Sequence, residues 1–302
     1  MQSRYETLLN ALKCESLTEV AHRSGYTQSG ITHLLNSIEK EWELTLLIRS
    51  KKKNTLTPEG KELLPYLQDL VNTEHTLKEK IASLKGNESG LVRIGSITSV
   101  SSSLLPKLLS DFSVTHPGIR FEIDHLSYEE IEKALLDETI DLGFLQNRTS
   151  DSKINCMPFY SDEAVAVLPC NFFEIHPTYD STASISPEVF SLHPLIMVGI
   201  HRGDFHRYLD EQGVKTTIPY TAQEDELAAT LIEQHLGIGM GYRLSLAHTH
   251  LKILLKPLSV PLKREIVLAT KQSAHQSLAL QSFLAFVATT RKETNNFKML
   301  TL

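Results

Sequence analysis

The stretch Ser16-Leu17-Thr18-Glu19-Val20-Ala21-His22-Arg23-Ser24-Gly25-Tyr26-Thr27-Gln28-Ser29-Gly30-Ile31-Thr32-His33-Leu34-Leu35-Asn36-Ser37-Ile38 decides how the chain begins. Ser16 is suited to cap a short helix, with Glu19 three residues on and Leu17, Val20 and Ala21 on the apolar side. Gly25 suits the left-handed turn past such a helix. Thr27 then opens a second helix, on which Ile31, Leu34, Leu35 and Ile38 share one face. Its other positions are polar and short to medium in reach. A helix, a tight glycine turn and a polar-faced helix make a helix-turn-helix. The second helix of such a pair fits a major groove about 12 Å wide, its first side chains against base edges. Thr27, Gln28, Ser29, Thr32, His33 and Asn36 are therefore expected to face double-stranded DNA.

Working outward, Tyr5, Leu8, Leu9 and Leu12 predict a preceding helix. Downstream, Arg49-Ser50-Lys51-Lys52-Lys53-Asn54-Thr55-Leu56 sets four cations around a turn flanked by extended residues. A basic hairpin beside a recognition helix is a wing, which makes Arg49, Lys51, Lys52 and Lys53 candidates for phosphate or minor-groove contact. A lysine run is ordinarily a solvated surface, and a polar helix face ordinarily meets water. Their order along the chain joins them into one expected DNA surface.

Thr57-Pro58 starts a long helix, with Pro at the first position, where its missing N–H costs nothing. Leu63, Leu67, Leu70, Glu74, Leu77, Ile81 and Leu84 recur at alternating spacings of 4 and 3, the rhythm of a coiled-coil seam broken by Glu74. A helix from a second subunit is the expected partner, giving a homodimer. Packing on the helix's own domain is the alternative. Pro65 is expected to kink the run or shift its first hydrogen bonds. The polar, glycine-flanked hinge Lys85-Gly86-Asn87-Glu88-Ser89-Gly90 ends it.

Beyond the hinge, strand-like and helix-like segments alternate. Strands are predicted over 91–97, 120–126 and 141–145, with helices over 101–116 and 128–137 between them, an order that implies a parallel sheet covered by helices. Further strands are predicted over 164–168, 195–198, 238–242 and 263–270. Helices are expected over 206–212, 224–235 (closed by Gly237) and 277–290. A pocket is expected at the carboxyl ends of the strands. The loop Ser96-Ile97-Thr98-Ser99-Val100-Ser101 offers hydroxyls and backbone N–H groups at a helix start, Ser127 holds the equivalent place before the next helix, and His201 and Arg202 follow a later strand. Thr98, Ser99, Ser127 and Arg202 are the candidate effector contacts. Their donors make a small anionic molecule, such as a carboxylate, the expected effector. Ser and Thr also start helices purely as caps.

The 302 residues suit two or three domains, and 41% hydrophobic with 22% charged residues is ordinary globular composition. Net charge is −6, but residues 1–85 carry 12 Lys and Arg against 11 Asp and Glu, and the remainder 18 against 25. A near-neutral head with clustered cations on an acidic body is compatible with DNA binding. No apolar run reaches the roughly 18 residues of a membrane span, and the first residues lack the layout of a signal peptide. Cys14, Cys156 and Cys170 are scattered and imply no disulfide framework. A cytoplasmic protein with no membrane partner is expected. Cys156 and Cys170 offer a redox input as a rival, although Cys is often just a small buried hydrophobe.

None of the thirteen histidines forms a His-Glu-x-x-His helix, and there is no nucleophile elbow or phosphate loop. His248 and His250 read as surface residues of a turn. No catalytic residue, metal or cofactor is expected. A stand-alone solute-binding protein would leave the first 85 residues unexplained.

Over nearly its full length the chain resembles the LysR-type transcriptional regulators. The matching residues are Ser16-Leu17-Thr18, Ala21, Thr27-Gln28-Ser29, Ile31-Thr32, Ile38-Glu39, Leu44, Leu47, Arg49 and Leu56-Thr57-Pro58-Glu59-Gly60. Later come Leu91-Val92-Arg93-Ile94-Gly95, Leu104-Leu105-Pro106, His116-Pro117, Asp141-Leu142-Gly143 and Leu236-Gly237-Ile238-Gly239. The resemblance implies an α/β multidomain protein: an N-terminal winged helix-turn-helix over 1–57, a linker helix and hinge over 58–89, and a two-lobed, periplasmic-binding-protein-like sensor over 90–302. Lobe I would hold 90–161 and 266–302, and lobe II 162–265. It also implies homotetramers on promoter DNA and a small-molecule effector between the lobes, with Thr98, Ser99, Ser127 and the segment up to Arg202 in effector-contacting positions. Glu43 stands where a glycine often closes the recognition helix, Trp42 replaces a usual Leu, Gly30 a common Ala, and Leu47-Ile48 a usual Phe and acid.

Overall fold

The computed structural model describes residues 3–14, 16–49, 54–84, 89–146, 149, 151–272 and 276–293. Its head opens with α1 (Arg4–Lys13), α2 (Leu17–Ser24) and α3 (Gln28–Trp42). Each begins where a hydroxyl accepts an otherwise unpaired N–H: Ser3 from Glu6, Ser16 from Thr18 and Thr27 from Gly30. Leu8, Leu12, Val20, Ile31, Leu35 and Ile38 meet in one core. Gly25 closes α2 in the left-handed region at φ 69°. Glu43 closes α3 the same way at φ 55°, so the helix end expected of a glycine is kept by a residue for which that conformation costs about 1–2 kcal/mol.

β1 (Leu47–Ile48) and β2 (Thr55–Leu56) pair antiparallel with Leu47 opposite Leu56, forming the stem of the wing. Lys51, Lys52 and Lys53 lie outside the described residues. Thr57 Oγ1 donates to the Thr45 carbonyl and accepts from the Gly60 N–H, which ties the stem to the start of α4 (Pro58–Leu84). α4 runs on through Pro65 as one helix. The row expected to form a single seam divides. Leu67 and Val71 are buried in the head's core with Leu63 and Leu64 packed against it, while Leu70 and Ile81 are exposed, as are Leu77 at 59% and Leu84 at 77%. The first turns of α4 thus close the head, and the later ones leave an apolar row bare.

The sensor begins with β3 (Gly90–Ser96), α5 (Thr98–Ser103), α6 (Leu105–Thr115), β4 (Ile119–His125), α7 (Tyr128–Leu136) and β5 (Leu142–Gln146). The helix expected in one piece over 101–116 is two, because Pro106 fits the first turn of α6 but not the interior of a longer helix. β6 (Ile154–Pro169) is far longer than the strand read at 164–168. Pro158 and the polar run Ser161-Asp162-Glu163 hid its first half. There follow α8 (Phe172–Ile175), α9 (Val189–Leu192), β7 (Leu195–Val198), α10 (Arg202–Glu211), β8 (Tyr220–Ala222), α11 (Asp225–Glu233), β9 (Ile238–Tyr242), β10 (Ile253–Pro257), β11 (Lys263–Lys271) and α12 (Leu278–Glu293). β8, β10 and the single turns α8 and α9 have no counterpart in the sequence reading. The left-handed turn after α11 is taken by His235 at φ 60° rather than by Gly237. Gly237 is needed for another reason: a Cβ there would lie 2.4 Å from the Pro194 carbonyl oxygen.

The strands form one sheet in the order β4-β3-β5-β11-β6-β9-β7-β8, with β10 added to β6. β3 is parallel to β5, and β9, β7 and β8 are mutually parallel. β6 and β11 run antiparallel to each other and to the strands beside them. The parallel pairing read from the order over 91–145 is present between β3 and β5, and the antiparallel strands arise where the chain leaves one lobe along β6 and returns along β11. The first lobe packs Phe112 of α6 and Phe121 against Phe283 of α12, edge to face. The second packs Phe172, Phe190 and Phe205 on one sheet face and Val165, Val167, Ala229 and Ile232 on the other. The described residues gather into two compact units. One is drawn from Met1–Leu91, Gly118–Arg120 and Ser273–Ser282, the other from Val92–Pro117, Phe121–Gln272 and Phe283–Leu302. No described helix is long and apolar enough to cross a membrane.

Where the chain passes between lobes, Asp162 of β6 stands opposite Arg264 of β11. Arg264 Nε and Nη2 donate to Asp162 Oδ2 at 3.0 and 2.8 Å, and Nη2 also donates to Ser99 Oγ at 3.1 Å. The guanidinium carbon lies 4.2 Å from the centre of the Tyr242 ring, and Asp162 Oδ1 accepts the Leu244 N–H at 3.0 Å. Both charged side chains are 1% exposed. Burial pushes the Asp162 carboxyl up, and Arg264 and the Leu244 N–H pull it back.

Asp162→Ala would leave a guanidinium buried without its counter-ion, so chemical denaturation should show a loss of about 3–5 kcal/mol from the sensor. Glu43→Gly should raise the stability of the head by about 0.5–1 kcal/mol by relieving a left-handed side-chain residue. An unchanged urea midpoint would count against that account of the helix end.

Candidate DNA interface and effector cleft

On α3, Gln28, Ser29, His33 and Asn36 are exposed, as is Thr27 in front of it, and Thr32 is half-buried. The hydroxyls are already engaged locally. Thr27 Oγ1 caps the helix and lies 3.0 Å from Ser29 Oγ, and Thr32 Oγ1 donates to the Gln28 carbonyl at 2.9 Å. Gln28 and His33 are left as the long polar side chains free to meet a base edge. Arg49 Nη2 donates to Asn36 Oδ1 at 2.6 Å and to Glu39 Oε2 at 3.1 Å, so the wing's first cation and the polar face of α3 form one surface. Glu39 holds it together, its Oε1 accepting the N–H groups of Leu46 and Leu47 at 2.7 and 3.2 Å. Sequence reasoning gave Glu39 no role, and a carboxylate on a helix otherwise meant for DNA was the available signal.

In the sensor, the carboxyl ends of β3, β4 and β5 carry Ser99, Tyr128 and Gln146. Those of β7, β8 and β9 carry His201, Asp225 and Tyr242, with Asp204 in the first turn of α10. Bonds cross between the lobes here. Gln146 Nε2 donates to Asp204 Oδ2 at 2.5 Å, Arg264 reaches Ser99, and Ser103 Oγ donates to the Leu244 carbonyl at 3.2 Å. The Tyr242 hydroxyl lies 3.4 Å from Asp204 Oδ2, and Arg207 donates to Asp204 Oδ1 at 3.0 Å. His201 is 3% exposed; its Nε2 is 3.4 Å from Asp225 Oδ2, and its ring meets Tyr242 edge-on at 4.9 Å.

Three polar atoms in this region are buried without a hydrogen-bond partner among the described residues: the Tyr128 hydroxyl, His201 Nδ1 and Asp225 Oδ1. Such atoms cost about 1–3 kcal/mol each when left unmade. Burial pushes the Tyr128 hydroxyl's pKa up, while the adjacent Arg264 lowers it. Of the four residues expected to meet an effector, Ser99 is buried within this cluster. The other three are exposed and engaged with near neighbours. Thr98 Oγ1 lies 3.4 Å from His125 Nδ1, Ser127 closes a capping box with Glu130, and Arg202 Nε donates to His206 Nε2 at 3.2 Å. Tyr128, Gln146, Asp162, Asp204, Asp225, Tyr242 and Arg264 were not singled out from sequence. A charge inside an apolar strand, as at Asp162 and Arg264, was the readable sign that a buried partner existed.

Two family models match in chain order: the bacterial regulatory helix-turn-helix protein, lysR family, over residues 3–61, and the LysR substrate binding domain over residues 85–292. Among curated relatives, the HTH-type transcriptional regulator YvbU of Bacillus subtilis is 22% identical over 272 residues, covering 89% of this chain and 91% of its own. Full-length OxyR from Pseudomonas aeruginosa superposes with a TM-score of 0.72 at 17% identity, covering 94% of this chain and 92% of its own. Full-length CbnR complexed with its target DNA superposes at 0.59 and 16% identity, covering 95% and 98%. The DNA-binding head and the effector domain are those of regulators rather than enzymes, and the chain belongs to the LysR family of bacterial transcription regulators.

Proposed function

We propose that this regulator binds promoter DNA as a homo-oligomer in the cytoplasm and responds to a small effector with an acidic group held between its sensor lobes. The observation that carries the effector reading is the set of unpaired buried polar atoms gathered where bonds already cross from lobe to lobe. An acidic group is supported by two donors side by side, the Tyr128 hydroxyl and the Arg264 guanidinium. The division at 57, at 89 and at the 161/162 and 265/266 crossovers is supported by the wing's stem ending at Leu56, by α4 ending at Leu84 and by the Asp162–Arg264 pairing.

A dimer through the linker is supported by Leu70, Leu77, Ile81 and Leu84, whose bare row a second α4 would cover. A tetramer is supported by further apolar exposure on the sensor's two edge strands and their helices, Val114 and Ile123 in one lobe and Tyr220 and Leu227 in the other. For DNA, Gln28 and His33 would read bases, with Thr27, Ser29, Thr32, Asn36, Arg49, Lys51, Lys52 and Lys53 on the sugar-phosphate backbone.

Genome-wide mapping of sites occupied by the protein tests the reading directly and supplies the operator. On that operator, Gln28→Ala should cost about 1–3 kcal/mol while leaving affinity for random DNA unchanged. Fluorescence anisotropy on both duplexes checks this, and equal losses would contradict base readout. Leu77→Asp should shift the protein to smaller species in sedimentation velocity, because a carboxylate would be buried in the seam. Retention of the full oligomer would remove α4 as the dimer contact.

A further inference from the structure

We propose that the effector is an amino acid: a small molecule with a carboxylate at one end, received by Tyr128 and Arg264, and an ammonium group at the other, received by His201 and Asp225. This rests on reading the inter-lobe cluster as the effector site. The unpaired atoms there are not all of one kind. The Tyr128 hydroxyl, beside the Arg264 guanidinium, offers donors to an incoming acid. With His201 Nε2 donating to Asp225 Oδ2, His201 Nδ1 carries a lone pair, and the other Asp225 oxygen is likewise an acceptor. Two buried acceptors without a donor call for an N–H-rich group, and an ammonium supplies three hydrogens.

Charge points the same way. Among the described residues the buried guanidinium, that of Arg264, is already matched by Asp162, and Asp204 and Asp225 add two further carboxylates. Arg207, which pairs Asp204, is 68% exposed and screened by solvent. A plain anion would enter a region with a surplus of negative charge, whereas an ammonium next to Asp225 offsets it. Size follows from Tyr242. Its ring centre lies 4.2 Å from the Arg264 guanidinium carbon and 4.9 Å from the centre of the His201 ring. The Arg264 guanidinium carbon and the His201 ring centre can therefore be no farther apart than those two distances together, which favours a ligand of a handful of heavy atoms.

The test is thermal unfolding of the full-length protein with the standard L-amino acids, 3-aminopropanoate and 4-aminobutanoate. Each is set beside its matched acid and amine, for example butanoate and butylamine beside 4-aminobutanoate. At least one amino acid should raise the unfolding midpoint where its matched acid and amine do not. Asp225→Asn should weaken that amino acid about tenfold or more, and Tyr128→Phe, which removes a single oxygen, should weaken it as well. A cooperative unfolding transition of the sensor in each variant without ligand shows that it is folded. Equal shifts from the matched acid, lost in Tyr128→Phe but kept in Asp225→Asn, would overturn the amino acid while leaving the effector site standing. A shift that survives both substitutions would place binding elsewhere and overturn both readings. No shift from any amino acid overturns the proposal.

Discussion

The sensor depends on one buried ion pair. Arg264 and Asp162 sit opposite each other on the two strands that carry the chain between lobes, and both are removed from water. Such a pair adds little net stability over an apolar replacement, but losing either member alone is expensive. What it contributes is position. Arg264 reaches Ser99 at the start of α5, lies over the Tyr242 ring and leaves its field on Tyr128. Asp162 accepts the Leu244 N–H beyond the end of β9. Two residues on the crossover strands therefore hold side chains from both lobes in one polar cluster.

Around that pair the cleft combines satisfied and unsatisfied groups. Gln146, Asp204 and Arg207 complete one another, as do Ser127 and Glu130. Tyr128, His201 and Asp225 each leave one atom unmade. Buried polar groups are nearly always paired, so a cluster of exceptions between the two lobes supports the proposed effector site. The head uses a carboxylate differently. Glu39 lies on the recognition helix yet serves the wing, binding two backbone N–H groups and Arg49. It ties the wing to the helix proposed to read DNA.

Much of the architecture was legible because local chemistry agrees with global fold. Ser16, Gly25 and Thr27 mark helix ends in the sequence and mark them in the structure. The alternation of β3 to β5 with their helices was readable from periodicity. β6 was not, because Pro158 and the polar run Ser161-Asp162-Glu163 interrupt its pattern, and its first half pairs with β11 from more than a hundred residues away. The heptad row on α4 was read as one surface but serves two, since Leu67 faces a core that only the folded head creates. Thr98, Ser127 and Arg202 are exposed and engaged with neighbours near them in the chain or on the next strand, where hydroxyls and cations at helix starts commonly bond.

The sequence by itself determined the winged helix-turn-helix, the long linker helix, the α/β sensor and the family they compose. These follow from caps, turns and periodicity, which act over a few residues. Only the tertiary structure decided the cleft. Ser99, Tyr128, Asp162, His201, Asp225 and Arg264 are scattered over more than half the chain and meet through strand register and the return of β11. Pairing a buried charge is a long-range constraint, and no local pattern states which distant residue satisfies it.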